Sequence, residues 1–203
     1  MKKEISIKAA LRMALEVFKG NWMFVVGAII IVLTMSVLID LIINEFSGAI
    51  FVIANLLSLV PQVLIGMGFL YIMLEVYDKK DVKYTDWFKP IGMFLNYFVV
   101  MILTTIIVLV GLVLFIVPGI IAIITLMFAP YLVIDKGMGA IDAMKKSWNM
   151  SKGYRCKLFL SVIVMTILNV VGAAALLVGL LVTIPVSTLA MIHIYRSILK
   201  ADE

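Results

Sequence analysis

The charged residues of this chain are confined to a few short segments, and the gaps between those segments set what it can fold into. Residues 20–39, 46–74, 90–134 and 158–195 contain no Asp, Glu, Lys or Arg, giving uncharged runs of 20, 29, 45 and 38 residues. An α-helix rises about 1.5 Å per residue and bilayer hydrocarbon is about 30 Å thick, so one crossing takes roughly 20 residues. The first two runs each fit one span. The longer two each fit two spans with a tight turn between them, which makes six. Composition agrees: 65% of the residues are hydrophobic and 14% are charged, whereas a soluble domain is roughly a quarter charged. Such a chain cannot cover itself with polar groups in water. It is too apolar for disorder, and its single cysteine, Cys156, excludes a disulfide scaffold.

The uncharged runs are continuous rather than alternating, which disfavours a β-barrel. Backbone in lipid must satisfy its own hydrogen bonds, so helices remain. The reading is an all-α polytopic bundle forming one integral membrane domain over residues 1–203. It comprises an N-terminal amphipathic helix (1–20), a first hairpin (21–76), a cytoplasmic loop (77–90), a second hairpin (91–135), a cytoplasmic amphipathic segment (136–157) and a third hairpin (158–199). The first hairpin turns around Asn44–Gly48. In the second, Pro118-Gly119 marks the turn, with helix to about Phe115 and a new helix from Pro118, because proline fits a first helical turn and disfavours helix before it. The third turns between Gly172 and Gly179. Pro61 and Pro185 fall inside spans, where kinks are expected.

Basic residues set the orientation. Lys2, Lys3, Lys8, Arg12 and Lys19 precede span 1; Lys79, Lys80, Lys83 and Lys89 follow span 2. Lys136, Lys145, Lys146, Lys152, Arg155 and Lys157 follow span 4, and Arg196 and Lys200 end the chain; together these are all 17. Six spans place the four groups on one side, which the positive-inside rule makes cytoplasmic. The expected location is a cell membrane with both termini cytoplasmic. Met1-Lys2-Lys3 is similar to the basic start of a signal peptide, but no clear cleavage site follows, so span 1 is expected to be retained.

Trp22, Trp87 and Trp148 each stand where a polar segment gives way to an odd-numbered span. Lys19-Gly20, Lys89-Pro90 and Lys152-Gly153 recur in step with them. A threefold repeat of one hairpin unit and ordinary interfacial placement of Trp and Lys both account for this. Two polar stretches have helical amphipathicity. From Ile7, apolar Leu11, Ala14, Leu15 and Phe18 oppose Lys8, Arg12, Glu16 and Lys19; from Met138, Ile141, Met144 and Trp148 oppose Asp142, Lys145, Lys146 and Asn149. Both are expected to lie in the headgroup plane against anionic lipid, the alternative being docking on the bundle itself. Lys145, Lys146, Trp148, Lys152 and Arg155 are the candidate lipid-surface residues. The formal charge of +5 is then a membrane-surface feature, and no nucleic-acid-binding motif accompanies it.

Groups for catalysis are scarce. His193 is the only histidine, so a multi-histidine metal site within the chain is impossible, and no HExxH, GxSxG or P-loop pattern occurs. No cofactor is expected. Ionisable or polar groups within the spans are candidates by default: Asp40, Asn55, Asn96, Asn169 and His193, with Gln62, Thr104 and Thr105 in similar settings. The ordinary reading of Asp40 is a solvated carboxylate near the outer turn, and that of the others is hydrogen-bonded packing between helices, each bond worth about 1 kcal/mol or less. Glu75 and Asp135 close spans 2 and 4, where pairing with Lys79 and Lys136 is expected. No strict GxxxG occurs from which to predict a dimer.

The segment Gly111-Leu-Val-Leu-Phe-Ile-Val-Pro118-Gly119-Ile120, followed by Asp135, Gly139, Ala143, Ser147-Trp148 and Lys152-Gly153, resembles a group of prokaryotic multi-pass membrane proteins. That group includes stand-alone relatives of unknown function and the membrane domain joined to glycerophosphodiester phosphodiesterases. The resemblance implies membrane architecture. It does not imply phosphodiesterase activity, which resides in a separate soluble barrel with metal-binding carboxylates and histidines. The expected function is non-catalytic: handling of membrane lipid or another amphiphile, or an accessory role to a membrane enzyme or exporter. The alternative is a small secondary transporter or channel with a path between the hairpins.

Overall fold

The computed structural model describes residues 6–175 and 178–202; Lys2 and Lys3 lie outside them. The described chain is helical: α1 (Ile7–Gly20), α2 (Trp22–Asn44), α3 (Gly48–Tyr77), a 3-10 segment (Tyr84–Met93), α4 (Phe94–Leu114), α5 (Ile116–Leu126), α6 (Ala129–Lys136), α7 (Ala140–Ser151), α8 (Arg155–Ala174) and α9 (Leu180–Asp202). Six stretches are long and apolar enough to cross a membrane: α2, α3, the 3-10 segment with α4, α5 with α6, α8, and α9 to Ala201. This is an all-α polytopic bundle. Each hairpin is preceded by a short helical segment: α1, the 3-10 segment and α7 in turn.

The turns follow the breakers. α2 ends at Asn44 and α3 starts at Gly48. Between α4 and α5 only Phe115 is extended, and Pro118 sits in the first turn of α5. Here two glycines are required: a Cβ on Gly111 would lie 2.9 Å from the Cα of Gly119, so the two helices meet backbone to backbone. Pro61 and Pro185 are carried inside α3 and α9.

The fourth span is not one helix. Pro130 in the first turn of α6 has no N–H to give and crowds the preceding turn, and the helix breaks at Met127–Phe128. The freed backbone is satisfied from α7. The Ser147 hydroxyl donates to the Thr125 carbonyl at 2.7 Å and accepts the Phe128 N–H at 3.2 Å, and Ser151 donates to the same carbonyl at 3.4 Å.

Packing is concentrated toward one end of the bundle. Met67, Ile72, Met73 and Val76 in the second half of α3 are buried, as are Phe128, Leu132 and Val133 near the break and Leu189, Ile192 and Tyr195 in α9. The rings of Phe128, Tyr131 and Tyr195 close this core, with centroids 5.5–5.9 Å apart. By contrast, Leu38, Leu41, Ile42, Ile50, Val52, Ile53 and Leu56 on the facing ends of α2 and α3 are exposed, as suits a lipid-facing surface.

Both polar helices take part in the packing. α1 buries Ala10, Ala14, Val17 and Phe18 and packs on α9, while Met13 and Leu15 stay exposed, so part of its apolar side is taken up by the bundle. Ser6 caps it, accepting the Ala9 N–H at 3.3 Å. α7 buries Ala140, Ala143, Met144, Ser147 and Met150 against its neighbours α4, α5 and α6, while Ile141 and Trp148 point outward. The small residues Ala140, Ala143 and Ser147 let α7 approach the broken span closely enough to bond its backbone. Trp87 is no interfacial marker: it is buried over Gly68, where a Cβ would collide with its indole.

Removing the Ser147 hydroxyl strands a buried N–H and carbonyl. Ser147→Ala is therefore expected to lose about 1–3 kcal/mol of stability. Ser161→Ala, whose hydroxyl bonds only its own helix at the Lys157 carbonyl, should lose clearly less. Denaturant unfolding of the two variants in detergent checks the difference.

Candidate functional site

Helices α3 and α4 diverge and leave a lateral groove of about 440 Å³, lined by Leu59, Gln62, Val63 and Gly66 on one wall and by Tyr97, Phe98, Met101, Ile102, Thr105 and Ile106 on the other. The gap follows from the side chains. Gly66 contributes none, and nothing lies within 4 Å of where its Cβ would stand. The walls are otherwise apolar. Thr105 is satisfied within α4, donating to the Met101 carbonyl at 2.8 Å. Gln62 donates its amide to Ser58 Oγ at 3.4 Å, and Ser58 donates to the Asn55 carbonyl at 2.7 Å. Tyr97 as a residue is only 5% exposed, but its hydroxyl is not sealed in the core and opens onto the groove. The groove thus offers one phenol and one amide carbonyl within an apolar trough, and no charge.

A second cluster joins the ends of three helices. Arg196 on α9 donates to Asp135 Oδ2 on α6 at 2.7 Å and to Asp78 Oδ2, just after α3, at 2.5 Å. The Tyr195 hydroxyl donates to the same Asp135 oxygen at 2.8 Å. One turn away, the Tyr77 hydroxyl and His193 Nδ1 are 2.8 Å apart. Arg196 is 19% exposed at its side chain, so these charges are largely withdrawn from water and each depends on the others. The cluster replaces two expected pairings. Asp135 pairs with Arg196 instead of Lys136, and Glu75 pairs with Lys80 at 2.7 Å instead of Lys79. Adjacent residues on a helix do not face each other, which separates Asp135 from Lys136, whereas Lys79 lies past the end of α3 with a positive φ of 56° and Lys80 turns back to Glu75.

The other sequence candidates scatter. Asp40 is exposed near the first turn and Asn96 is exposed on α4; neither has a partner among the described residues. Asn55 bonds its own helix at the Phe51 carbonyl, 2.9 Å away. Asn169 accepts from Ser187 at 3.2 Å and so ties α8 to α9. Of the lipid-surface set, Lys145 and Lys152 are exposed, Lys146 and Arg155 are half-buried, and the Arg155 guanidinium lies 4.9 Å from the Trp148 ring centroid. Pro118 and Gly119 shape the α4–α5 turn. The structure brings His193 to Tyr77 and assembles none of the five intramembrane candidates into one site. Nothing in the local sequence marks Tyr97 and Gly66 as groove residues, because a gap between two helices depends on how they pack and not on either stretch alone.

Arg196→Gln leaves Asp78 and Asp135 without their cation and is expected to cost about 2–4 kcal/mol. Arg12→Gln, which removes an ion pair whose arginine is 83% exposed, should stay within about 0.5 kcal/mol. Thermal unfolding of both variants under one detergent condition tests the contrast.

Comparison with known proteins adds one finding. The model of an uncharacterised protein family, UPF0259, matches residues 48–199. No curated protein and no solved structure matches the chain.

Proposed function

The chain belongs to the uncharacterised protein family UPF0259, and we propose that within it this is a non-catalytic integral membrane protein that binds a bilayer amphiphile in the α3–α4 groove. The observation carrying this reading is the Tyr97 hydroxyl in an apolar trough. That hydroxyl opens onto the groove, where bilayer hydrocarbon offers it no acceptor, and a ligand carrying an acceptor beside a hydrocarbon chain would supply a hydrogen bond worth about 0.5–1.5 kcal/mol. The groove opens sideways, where lipid is the neighbour. Its lack of charge favours contact with the glycerol-ester or hydroxyl region of an amphiphile over contact with a phosphate.

The remaining chemistry supports a binding role. Asp78 and Asp135 are committed to Arg196, and His193 to Tyr77, so these groups hold helices together. The sequence resemblance of Gly111–Lys157 to the membrane domain joined to glycerophosphodiester phosphodiesterases is in keeping with a setting beside lipid chemistry, and the proposal extends to an accessory role for a lipid-handling partner. The reading as transporter or channel has less behind it: where α3, α6 and α9 meet, Ile72, Met73, Phe128, Leu132, Ile192 and Tyr195 fill the space. The grouping of basic residues supports a cell-membrane location with both termini cytoplasmic and anionic lipid at that face.

Gly66→Leu places a side chain in open space and should fill the groove without disturbing the fold. Lipid retained by the purified protein, counted by native mass spectrometry, or labelling by a diazirine-bearing phospholipid, is expected to fall about tenfold, equivalent to roughly 1.4 kcal/mol. Tyr97→Phe should reduce it a few-fold through loss of one hydrogen bond. Undiminished labelling in Gly66→Leu would refute the groove as the site. Separately, replacing Lys145 and Lys152 with Gln should lower enrichment of anionic over zwitterionic lipid around the protein in mixed vesicles.

A further inference from the structure

We propose that of the three membrane hairpins only the first reaches the far face of the bilayer, while the turns of the second and third lie inside the leaflet on the basic side. Length and composition permit all six stretches to cross; contacts between turns and basic segments decide how deep each one goes.

The second hairpin is fixed by α7. Ser147 and Ser151 both bond the Thr125 carbonyl, and exposed Lys152 is the next residue. From Thr125 to the turn at Pro118 is seven residues, or about 10 Å of helix. Trp148 and the turn residues Gly111 and Pro118 line one common cavity. If that turn stood at the far face of a hydrocarbon layer about 30 Å thick, Lys152 would sit some 20 Å deep, a position costly for a charge. With Lys152 at the surface instead, the turn lies roughly 10–15 Å in.

The turn itself fits that depth. Residues 112–117 are all apolar, with Val113 85% and Phe115 73% exposed. Water would meet a bare hydrophobic tip. Hydrocarbon accepts it, because the backbone is paired: the Phe115 N–H donates to the Gly111 carbonyl at 2.9 Å and the Gly119 N–H to the Phe115 carbonyl at 3.4 Å.

The third hairpin gives the same answer independently. Val178, Leu181 and Val182, at its turn, share a cavity with Phe18, Lys19 and Trp22. Exposed Lys19 belongs to the basic N-terminal segment, so this turn lies beside the surface from which α2 departs. The first hairpin contrasts with both. α2 with 23 residues is little longer than α4 with 21 and α8 with 20, so shallow second and third turns require α4 and α8 to run steeply tilted; what sets the first hairpin apart is its turn, where Glu45 and, five residues before it, Asp40 are exposed. Beyond the level of the core, α2 and α3 show apolar side chains to lipid with no third helix covering them.

The test uses the full chain with Cys156→Ser and single cysteines Phe46→Cys, Phe115→Cys or Ala175→Cys, in oriented membranes. A membrane-impermeant maleimide should label position 46 from the face opposite the lysines, and should label neither 115 nor 175 from that face. An environment-sensitive fluorophore on 115 or 175 should be quenched by nitroxides on lipids of the basic-side leaflet. Labelling of 115 or 175 from the same face as 46, or quenching only by the opposite leaflet, would overturn the proposal. Correct folding of each variant is read from retention of the monodisperse wild-type elution profile, and a variant that fails it is replaced by cysteine at the neighbouring residue 114 or 174.

Discussion

A helix in hydrocarbon has no water to complete its hydrogen bonds, so every interruption of the ladder must be repaired by protein. Much of this structure follows from one such repair. Pro130 interrupts the fourth apolar stretch, and the Ser147 hydroxyl supplies both a donor and an acceptor at the gap. That bond holds α7 against the hairpin, and the packing of α7 in turn determines where Trp148, Lys152 and Arg155 stand. A polar helix that would otherwise be free to settle among headgroups is recruited as a structural brace.

The Arg196 cluster works at a second level. Hydrophobic attraction between helices is weak in lipid, since the surrounding chains are as apolar as the side chains. Directional contacts therefore specify which helix ends meet. Arg196 joins Asp78 and Asp135, from two different hairpins, to α9. Around it the packed residues of α3, α6 and α9 form the best-buried part of the molecule. The groove lies where this packing gives out and α3 and α4 separate.

Legibility in the sequence tracked the range of the interactions involved. Run lengths and Pro-Gly placement located the six apolar stretches and their turns, because hydrocarbon thickness and backbone stereochemistry act locally. Amphipathic periodicity found α1 and α7 as helices but not their packing on the bundle: Ala10, Ala14, Ala140 and Ala143 are weakly hydrophobic, yet they are what permits close packing on another helix. Pairing by sequence adjacency failed for Asp135, whose partner is 61 positions away. The groove was invisible for the same reason, since Gly66 and Tyr97 become neighbours only when two helices fail to touch.

The clasp has a temporal side as well. Arg196 lies 118 residues after Asp78, and α1 finds its main packing partner in α9. At roughly 5–20 residues per second of synthesis, the first hairpin waits on the order of ten seconds for the helix that completes it. Throughout that interval Asp78 lacks its arginine and the Ala10–Phe18 face of α1 lacks its cover, and Asp135 joins the wait for the final 61 residues. Helix α9 is thus the keystone, and a nascent chain that stalls before it presents unpaired acid and bare apolar surface to the machinery that inspects new membrane proteins.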